Sequence, residues 1–595
     1  MPRRMLALRF LSCIGLALSS GGTTSGQVVP DLRLDSGPPG AANSLAPQIA
    51  SSASMVCVAW EDHRNGSADI YFNRSLDGGQ TWLPLDARLD GGPPGATSQN
   101  PRIAASGTSV YVVWEDDRDG SGGQYVYAAR SLDGGSSWSP AQRIDRVPLG
   151  FYCAGPEVAA SGASVFVVWN DDRVDWAPSI YFNRSLDAGA TWQAQDLRID
   201  RAPPGQFAWT PQIASIGSSV YATWEDQRNG TSDIYLNRST DNGQTWLATD
   251  RRLDTGDPPG AATSLFPRIA VSGSSVHVVW TDMRHQTTLT SDIYFNRSLD
   301  GGLTWMASDV RLNLGSPPGA VLAWLPTIAA SGSSVYVAWE DLRLGPVHVF
   351  FNRSGDAGGT WLPTAIQLDP TTNLSVHPRL AASGPLVVMV AEGSRGLQPD
   401  VICNRSTDSG ATWLPAEIRL NGGTSSPALR VYHPQIAISG AEVYVTWEDL
   451  RNGNTDVFFN RPFASFSYGT GHPGTGGATP SLSGGSAPTI GSPVVLSVTN
   501  GRGNATGWLL LGLSGRTALP VLDGTLLVYP PVYFFSPLYL GGVAGQPGAG
   551  TTSLGVPIPP SPALVGVRVN LQAMLFDPGA SRGISMTNGL EIWLG

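Results

Sequence analysis

One unit of about 55 residues recurs through most of this chain, and that period constrains the fold more than any other feature. Its first copy reads PQIASSASMVCVAWEDHRNGSADIYFNRSLDGGQTWLPLDARLD, from Pro47 to Asp90. Further copies begin at Pro101, Pro156, Pro211, Pro267, Pro326, Pro378 and Pro434. Tandem copies of this length indicate small structural units that pack against their neighbours.

Each copy contains four strand signals separated by turns. Strand a reads PQIA, strand b is an alternating run ending in Trp such as SVYVVW (109 to 114), strand c reads DIYFNRS, and strand d is a short RLD segment. A polar turn such as EDHRNG joins strands b and c, and its Asn-Gly pair favours a tight hairpin. Four antiparallel strands in tandem predict the blades of an all-β protein, a β-propeller.

The order of the strand signals predicts how such a propeller closes. The first strand-d signal, residues 32 to 35, precedes any strand a, whereas nothing like strand d follows the eighth copy. The N-terminal strand can therefore complete the last blade and remove an exposed sheet edge. We expect an eight-bladed propeller closed by its N-terminal strand.

A motif of the form Ser-x-Asp-x-Gly-x-Thr-Trp separates strands c and d in seven copies. Its carboxylate can accept N–H bonds of the turn, its glycine can take a positive φ, and its Trp can pack between sheets. A motif repeated in almost every unit favours a folding role over a catalytic one. The predicted structural acids are Asp77, Asp133, Asp187, Asp241, Asp300, Asp356 and Asp408.

This motif resembles the Asp-box, or bacterial neuraminidase repeat, of the sialidase-like superfamily. The resemblance implies a propeller whose members include sialidases, other glycosidases and proteins without catalysis. Sialidases of the family use three arginines on the substrate carboxylate, a Tyr nucleophile paired with Glu, and an Asp acid/base. The family's Phe/Tyr-Arg-Ile-Pro string is absent here. If the chain is sialidase-like, its catalytic candidates are Arg102, Arg268, Arg379, Glu157 and Tyr152.

The b–c and d–a loops are expected on one face, opposite the Asp boxes, and the residue after each strand-a Pro should lie near that face. Arginines at several of these positions can bind a carboxylate or phosphate, and aromatic residues of the d–a loops can stack on sugars. The alternative is a ring of polar residues that lines a wet channel. The predicted ligand-binding residues are Arg102, Glu157, Arg268, Arg379, Trp209 and Trp324.

Composition excludes several classes of function. All 37 basic residues are arginine, so Schiff-base lysine chemistry is excluded, and the net charge of -10 argues against nucleic-acid binding. The Asp-rich stretch EDDRDGSGG (115 to 123) is a weak hint of calcium but lacks EF-hand spacing. His377 and His433 have no third ligand that would indicate zinc. We therefore expect no cofactor and no metal.

The rest of the chain suggests its location and domain organisation. Residues 1–26 read as a secretory signal peptide, 27–462 as the propeller, 463–493 as a Gly/Ser/Pro-rich linker, and 494–595 as a β-sandwich-like domain. No later stretch is apolar enough to span a bilayer. Cys57, Cys153 and Cys403 do not suggest a disulfide framework.

These observations favour a secreted or cell-surface monomer without catalytic activity that binds a glycan or an extracellular protein through its loop face. Two alternatives are an exo-sialidase-like glycoside hydrolase and a structural cell-surface protein.

Overall fold

The structure is a computed structural model that describes residues 31–285, 290–395, 398–422, 430–463, 465–468, 470–484, 493–513, 516–559, 564 and 567–593. The signal peptide predicted at 1–26 lies outside these residues. The described chain divides into two compact units, one formed by residues 31–440 and 444–460 and the other dominated by residues after 460. No helix in the described part of the chain has the length and hydropathy needed to cross a bilayer.

The repeated region forms antiparallel four-stranded sheets, which we call blades and number by the copies of the repeat. Blades one to four contain β2 (Ser44–Ser52), β3 (Met55–Asp62), β4 (Asp69–Ser75) and β5 (Ala87–Arg88); β6 (Ser98–Ser106), β7 (Ser109–Asp116), β8 (Tyr125–Ser131) and β9 (Gln142–Arg143); β10 (Cys153–Ser161), β11 (Ser164–Asp171), β12 (Ser179–Ser185) and β13 (Leu197–Arg198); β14 (Ala208–Ile216), β15 (Ser219–Asp226), β16 (Asp233–Ser239) and β17 (Arg251–Arg252).

The remaining blades follow the same order, except that the eighth takes its fourth strand from the start of the chain. Blades five to eight contain β18 (Ser264–Ser272), β19 (Ser275–Asp282), β20 (Asp292–Ser298) and β21 (Val310–Arg311); β22 (Ala323–Ser331), β23 (Ser334–Asp341), β24 (His348–Ser354) and β25 (Ile366–Gln367); β26 (Leu374–Ser383), β27 (Leu386–Arg395), β28 (Gln398–Ser406) and β29 (Ile418–Arg419); β30 (Val431–Ser439), β31 (Glu442–Asp449), β32 (Asp456–Asn460) and β1 (Leu32–Arg33).

The two ends of the repeated region are joined by backbone pairing. Leu32 lies opposite Phe459 and Arg33 opposite Phe458, and the Leu34 N–H donates to the Val457 carbonyl at 2.8 Å. The first strand of blade eight, β30, contacts the first strand of blade seven, β26, and also the first strand of blade one, β2. The first and last copies of the repeat are therefore neighbours in space.

In every blade except the seventh, a buried Trp near the end of the second strand anchors the polar turn that follows. Trp60 has no exposed surface, and its indole N–H donates to Asp62 at 3.1 Å. Arg64 donates to the two oxygens of Asp62 at 2.8 and 2.6 Å and stacks over the ring of Tyr71 at 4.1 Å. The Trp-Glu-Asp-x-Arg string, present in five copies, therefore builds a network of hydrogen bonds in the b–c turns that contain it.

The Trp of each Asp box packs against the preceding blade. Trp138 of blade two meets Phe72 of blade one edge to face, with ring centroids 4.7 Å apart at 71°. This geometry is the favoured one for aromatic pairs. Equivalent pairs join Trp82 to Phe459, Trp246 to Phe182, Trp361 to Phe295, and Trp413 to Phe351.

The Asp of each box organises the turn between the third and fourth strands. Asp187 accepts the Thr191 N–H at 2.8 Å, the Thr191 hydroxyl at 2.6 Å and the Ser185 hydroxyl at 2.7 Å. The Thr191 hydroxyl and N–H, with the Ser185 hydroxyl, hold the pKa of Asp187 below its usual range. The side chain of Asp187 is exposed, so its hydrogen bonds compete with water and stabilise the fold less than buried ones would.

The C-terminal unit contains two larger sheets that share one apolar core. Its strands are β33 (Ser465–Tyr468), β34 (Ser481–Gly484), β35 (Pro493–Gly501), β36 (Thr506–Gly512), β37 (Arg516–Val521), β38 (Gly524–Val528), β39 (Tyr533–Tyr539), β40 (Gly550–Pro557), β41 (Arg568–Phe576), β42 (Ile584–Met586) and β43 (Gly589–Trp593), with 3-10 turns at Thr475–Gly477 and Ser581–Gly583.

The region predicted as a linker, residues 463–493, differs from that expectation. β33 pairs with β43, and β34 pairs with β35, so both strands belong to the sheets of the C-terminal unit. The Gly/Ser-rich composition concealed the alternation of SLSG, in which Leu482 is buried in the core. Short strands rich in serine form because the sheet next to them supplies partners, a context that local composition does not contain.

Candidate binding site

The two ends of every blade carry different loops. The Asp boxes lie beside the turns between first and second strands, as the Gly78 N–H donates to the Ser54 carbonyl at 2.7 Å. The b–c turns lie at the opposite end, where Ser44 at the start of β2 is paired with Asp62 at the end of β3. The d–a loops also enter there, and we call this end the loop face.

A β-bulge interrupts each first strand at its Pro. In blade two the pairing of β6 with β7 shifts between Gln99 and Arg102, after which Arg102 lies opposite Val113. The residue that follows the Pro, which we call the ring position, resumes the pairing in the same register in the other blades whose register is defined. The ring positions are Gln48, Arg102, Glu157, Gln212, Arg268, Thr327, Arg379 and Gln435.

The residue before each Pro adopts a left-handed conformation that sequence reasoning did not anticipate. Its φ runs from 48° at Leu325 and His433 to 60° at Gly155. The N–H group so exposed is accepted by a glutamate of the preceding blade in six cases. These pairs are Glu448 with Ala46, Glu61 with Asn100, Glu115 with Gly155, Glu225 with Phe266, Glu340 with His377, and Glu392 with His433.

This glutamate clasp fastens one blade to the next. A left-handed residue costs about 1–2 kcal/mol, whereas a hydrogen bond to a charged group contributes about 1.5–3 kcal/mol. The signal for the clasp was present in the sequence, because a glutamate follows the second-strand Trp in five copies (Glu61, Glu115, Glu225, Glu340 and Glu448) and Glu392 takes the same place in blade seven.

Arg102 and Glu157, two of the predicted site residues, form an ion pair across blades two and three. The Arg102 Nε donates to the Glu157 carboxylate at 2.9 Å, and the Gln212 amide of blade four approaches the same oxygen at 3.5 Å. The side chains keep 30% and 24% of their exposure, so the pair is reached by water. The negative charge of Glu157 raises the pKa of Arg102.

Arg268 and Arg379 differ from Arg102 because no carboxylate among the described residues forms an ion pair with either of them. Each donates one bond of 3.3 Å to the carbonyl of its own Pro. The two residues lie in blades five and seven, on either side of the small Thr327 of blade six. We call Arg268 and Arg379 the arginine pair.

The electrostatics of the arginine pair confirm that its members are close to other cations. Burial, followed by the charges of Arg268 and Arg102, lowers the pKa of Arg379 to about 10, although Glu392 and Glu157 act in the opposite direction. Burial and the charge of Arg102 also lower the pKa of Arg268. Both groups stay protonated at neutral pH, and their charge is only partly compensated.

Two histidines extend this region toward blade eight. His377 contacts Glu392 at 2.8 Å, and His433 contacts Glu448 at 2.9 Å, with the imidazole centroids 6.0 Å apart. The hydrogen bond to Glu392 raises the pKa of His377, and the bond to Glu448 raises the pKa of His433. Within the described residues, no group of three or more His, Cys, Asp or Glu side chains is arranged to hold a metal.

The aromatic residues predicted for the site lie in different surroundings. Trp209 is half-buried and donates to Glu225 at 2.9 Å, and Trp324 occupies the equivalent position opposite Glu340. Tyr152 is 53% exposed and lines a cleft whose lining contains none of the three arginines. The structure therefore does not bring Tyr152 and the predicted arginines into one pocket.

The Asp-rich loop of blade two uses its carboxylates internally. Asp116 binds Arg118 through its two oxygens, and Asp117 accepts the Thr97 N–H at 2.6 Å. Asp119 accepts the Ser121 hydroxyl at 2.8 Å. The cysteines Cys57, Cys153 and Cys403 are buried and free.

Comparison with known proteins gives distant similarities to carbohydrate-active enzymes. No family model matches the chain. Over 364 residues it is 26% identical to the xyloglucanase Xgh74A of Acetivibrio thermocellus, covering 51% of this chain and 40% of that enzyme. The chain therefore spans well under half the length of the curated relatives it matches.

Solved structures resemble the chain at low identity. The polysaccharide lyase Uly1 matches with a TM-score of 0.42 and 10% identity, covering 60% of this chain and 89% of the lyase. The Hadza microbial sialidase Hz136 matches with a TM-score of 0.32 and 17% identity, covering 50% and 63%. The α-L-arabinanase of Penicillium chrysogenum matches with a TM-score of 0.33 and 13% identity, covering 53% and 96%.

Proposed function

We propose that the eight blades close into one eight-bladed propeller that carries a glycan-binding loop face. Two contacts between the first and last blades support closure: the Trp82–Phe459 ring contact and the 2.7 Å bond from the Ala46 N–H to Glu448. Each repeats a contact found between consecutive blades, and the pairing of β1 with β32 completes blade eight from the start of the repeated region. A ring without a gap also leaves no unpaired sheet edge between blades one and eight.

The proposed function is non-catalytic binding of an acidic extracellular glycan by a secreted monomer. The observation that carries it is the arginine pair, two guanidinium groups without an ion-pair partner among the described residues, at the same register position of nearby blades. A carboxylate or sulfate placed between them would accept charge-assisted bonds from both. It would also offset the burial and the charges of Arg268 and Arg102 that lower the pKa of Arg379.

The nearby glutamates are not the anions that bind the arginine pair. Glu225, Glu340 and Glu392 already accept N–H groups of the next blade. Within the described residues, Arg268 and Arg379 each form one side-chain hydrogen bond, to the carbonyl of the preceding Pro. Thr327, at the same register position of the intervening blade six, is uncharged and shorter than either arginine.

A sialidase mechanism has less support. Glu157 is held by Arg102 rather than by a tyrosine, and Tyr152 lies in a separate cleft. A nucleophile and its base must lie within hydrogen-bonding reach to form an activated pair. We therefore expect no release of sialic acid from a fluorogenic sialoside. The similarity to the xyloglucanase makes xyloglucan a second polysaccharide to include among hydrolysis assays.

The experiment is a titration of the purified full chain with acidic oligosaccharides, namely trigalacturonate, sialyllactose and a sulfated disaccharide, measured by calorimetry. The test variant is Arg268→Gln/Arg379→Gln. The matched control is Gln435→Ala, which changes the same register position in a blade without an arginine. We expect the double variant to lose about 100-fold in affinity, since each charged hydrogen bond contributes about 1.5–3 kcal/mol.

The outcomes separate the hypotheses. Loss of binding in the double variant, with the Gln435→Ala affinity unchanged, supports the arginine pair as the site. Equal affinity of wild type and double variant overturns it. Turnover of a sialoside or of xyloglucan by wild type would overturn the non-catalytic assignment.

A further inference from the structure

A second feature of the loop face departs from the repeat at blade three. Trp176 is 68% exposed, and both it and the preceding Asp175 have a φ of 56°. Blades one, four and eight have Asn-Gly in the corresponding turn, where only the glycine takes a positive φ, at little cost. An exposed indole in a left-handed conformation costs stability without burying apolar surface, and strain of this kind concentrates at functional sites.

Trp176 is held in place by a second aromatic ring. Its indole stacks on Phe151 with centroids 4.7 Å apart at 29°. Phe151 belongs to the loop that enters β10, and its carbonyl accepts the Gln124 N–H at 3.2 Å. The stacked pair is thus attached to the loop that carries Gln124.

Gln124 and Tyr152 line a cleft of about 580 Å³ at this edge of blade two. The opposite wall is formed by the Pro-Pro-Gly loop that contains Pro93 and Gly95. This volume lies in the range of about 300–1,000 Å³ typical of small-ligand sites. Trp176 and Phe151 do not line the cleft but lie beside it, because Phe151 directly precedes the lining residue Tyr152. We call the cleft and this adjacent stack together the aromatic cleft.

The polar groups of the aromatic cleft suit hydroxyl groups rather than anions. No hydrogen bond of the Gln124 amide or the Tyr152 hydroxyl occurs within the described residues, so both can bond to a ligand. The cation of the cleft, Arg118, is already bound by Asp116 and stacked on Tyr127 at 4.2 Å. Asp117 adds a negative charge to the lining.

We propose that the aromatic cleft is a binding site for a neutral oligosaccharide, with pyranose rings stacked on Trp176 and Tyr152. The flat C–H face of a sugar covers an exposed aromatic ring, while its hydroxyls bond to the free amide and phenol. The inference rests on the proposed glycan-binding function and adds a second site to it, with a different ligand charge. None of the lining residues belongs to the arginine pair.

The test is a titration of full-length wild type, Trp176→Ala, Trp176→Phe and Leu149→Ala with cellotetraose, xylotetraose and mannotetraose. Leu149 is the matched control, because it is 63% exposed in the same loop as Phe151 but has no ring. We expect Trp176→Ala to lose about tenfold in affinity for a bound tetrasaccharide, the effect of one lost stacking contact. Trp176→Phe should recover most of that loss.

Each outcome has one meaning. A selective loss in Trp176→Ala supports the site. Wild type that binds none of the three tetrasaccharides at millimolar concentration overturns it, as does an equal loss in Leu149→Ala, which would show that the loss does not depend on an aromatic ring. The same samples are titrated with trigalacturonate, so that failure of the arginine pair is seen separately from failure of the aromatic cleft.

Discussion

The two ends of the blades differ in how far their side chains repeat from blade to blade. At the Asp-box end, Asp77, Asp187 and Asp356 each accept a threonine N–H and hydroxyl at 2.6–2.8 Å, so one geometry recurs. At the loop face, chemistry changes from blade to blade, as with the paired Arg102 and the unpaired Arg268. Repetition in this molecule accompanies folding, and departure from repetition identifies candidate binding sites.

The largest expected effect on stability comes from adding a methyl group to a glycine of an Asp box. In Gly243→Ala the new methyl would lie 2.4 Å from Phe182, at a φ of +77°. Overpacking and left-handed strain together should lower the free energy of unfolding by about 2–5 kcal/mol, measured by denaturant unfolding. Gly230→Ala, at the loop face of the same blade with no atom within 4 Å, is the control. Similar losses in both variants would mean that the two ends do not differ in packing.

A second prediction tests the difference at the loop face between Arg102, which forms an ion pair, and the arginine pair. Glu157→Gln removes the carboxylate that neutralises Arg102, so a third guanidinium becomes available to an anion. We expect the affinity for an acidic oligosaccharide to rise about fivefold at low salt, a change of about 1 kcal/mol. The reverse change, Gln212→Glu in the next blade, should weaken binding. An unchanged affinity in both variants would place the anion away from Arg102.

A smaller effect is expected from a single Asp box. Asp187→Ala removes three hydrogen bonds on an exposed turn, so the free energy of unfolding should fall by only about 0.5–1 kcal/mol. The affinity for any glycan should stay that of wild type. Thermal melts and calorimetry on the same preparation measure the two quantities, and a stable variant that has lost binding would reverse the assignment of this motif.

The smallest expected effect is a pH dependence of the difference in stability between wild type and Asp187→Ala. The pKa of Asp187 is lower in the folded than in the unfolded chain, so its contribution is complete above the unfolded value of about 4 and is lost as the pH falls toward the folded value. The difference in melting temperature between wild type and Asp187→Ala should therefore shrink from pH 7 to about pH 2. A constant difference would show that Asp187 acts without its charge.

Much of the repeated architecture can be predicted from local sequence. The alternation that ends at Trp60 or Trp114 predicts a second strand whose last ring is buried, and both rings have no exposed surface. The Asp-Gly spacing of the box likewise predicts a tight turn. These features depend on residues close together in the chain, which sequence reasoning can weigh directly.

Other features depend on contacts between blades. His377 precedes a Pro and so should be extended by local rules, yet its φ is 53° at the bulge of its strand, and Glu340 of the preceding blade accepts its N–H. Nothing near Trp176 in sequence indicates the stacking on Phe151, which lies 25 residues earlier by numbering. The sequence predicts that the ring positions are equivalent, but only the structure separates the paired Arg102 from Arg268 and Arg379.

The pairing of β1 with β32 also has a consequence for the order of events during synthesis. The contact between Arg33 and Asp456 joins residues 423 positions apart, so the first strand made has no partner until nearly the whole repeated region exists. At about 5–20 residues per second this wait lasts roughly 20–80 seconds. During that interval blade eight is incomplete, and a ribosome-bound intermediate should be cut by protease near Leu32 until β32 has emerged.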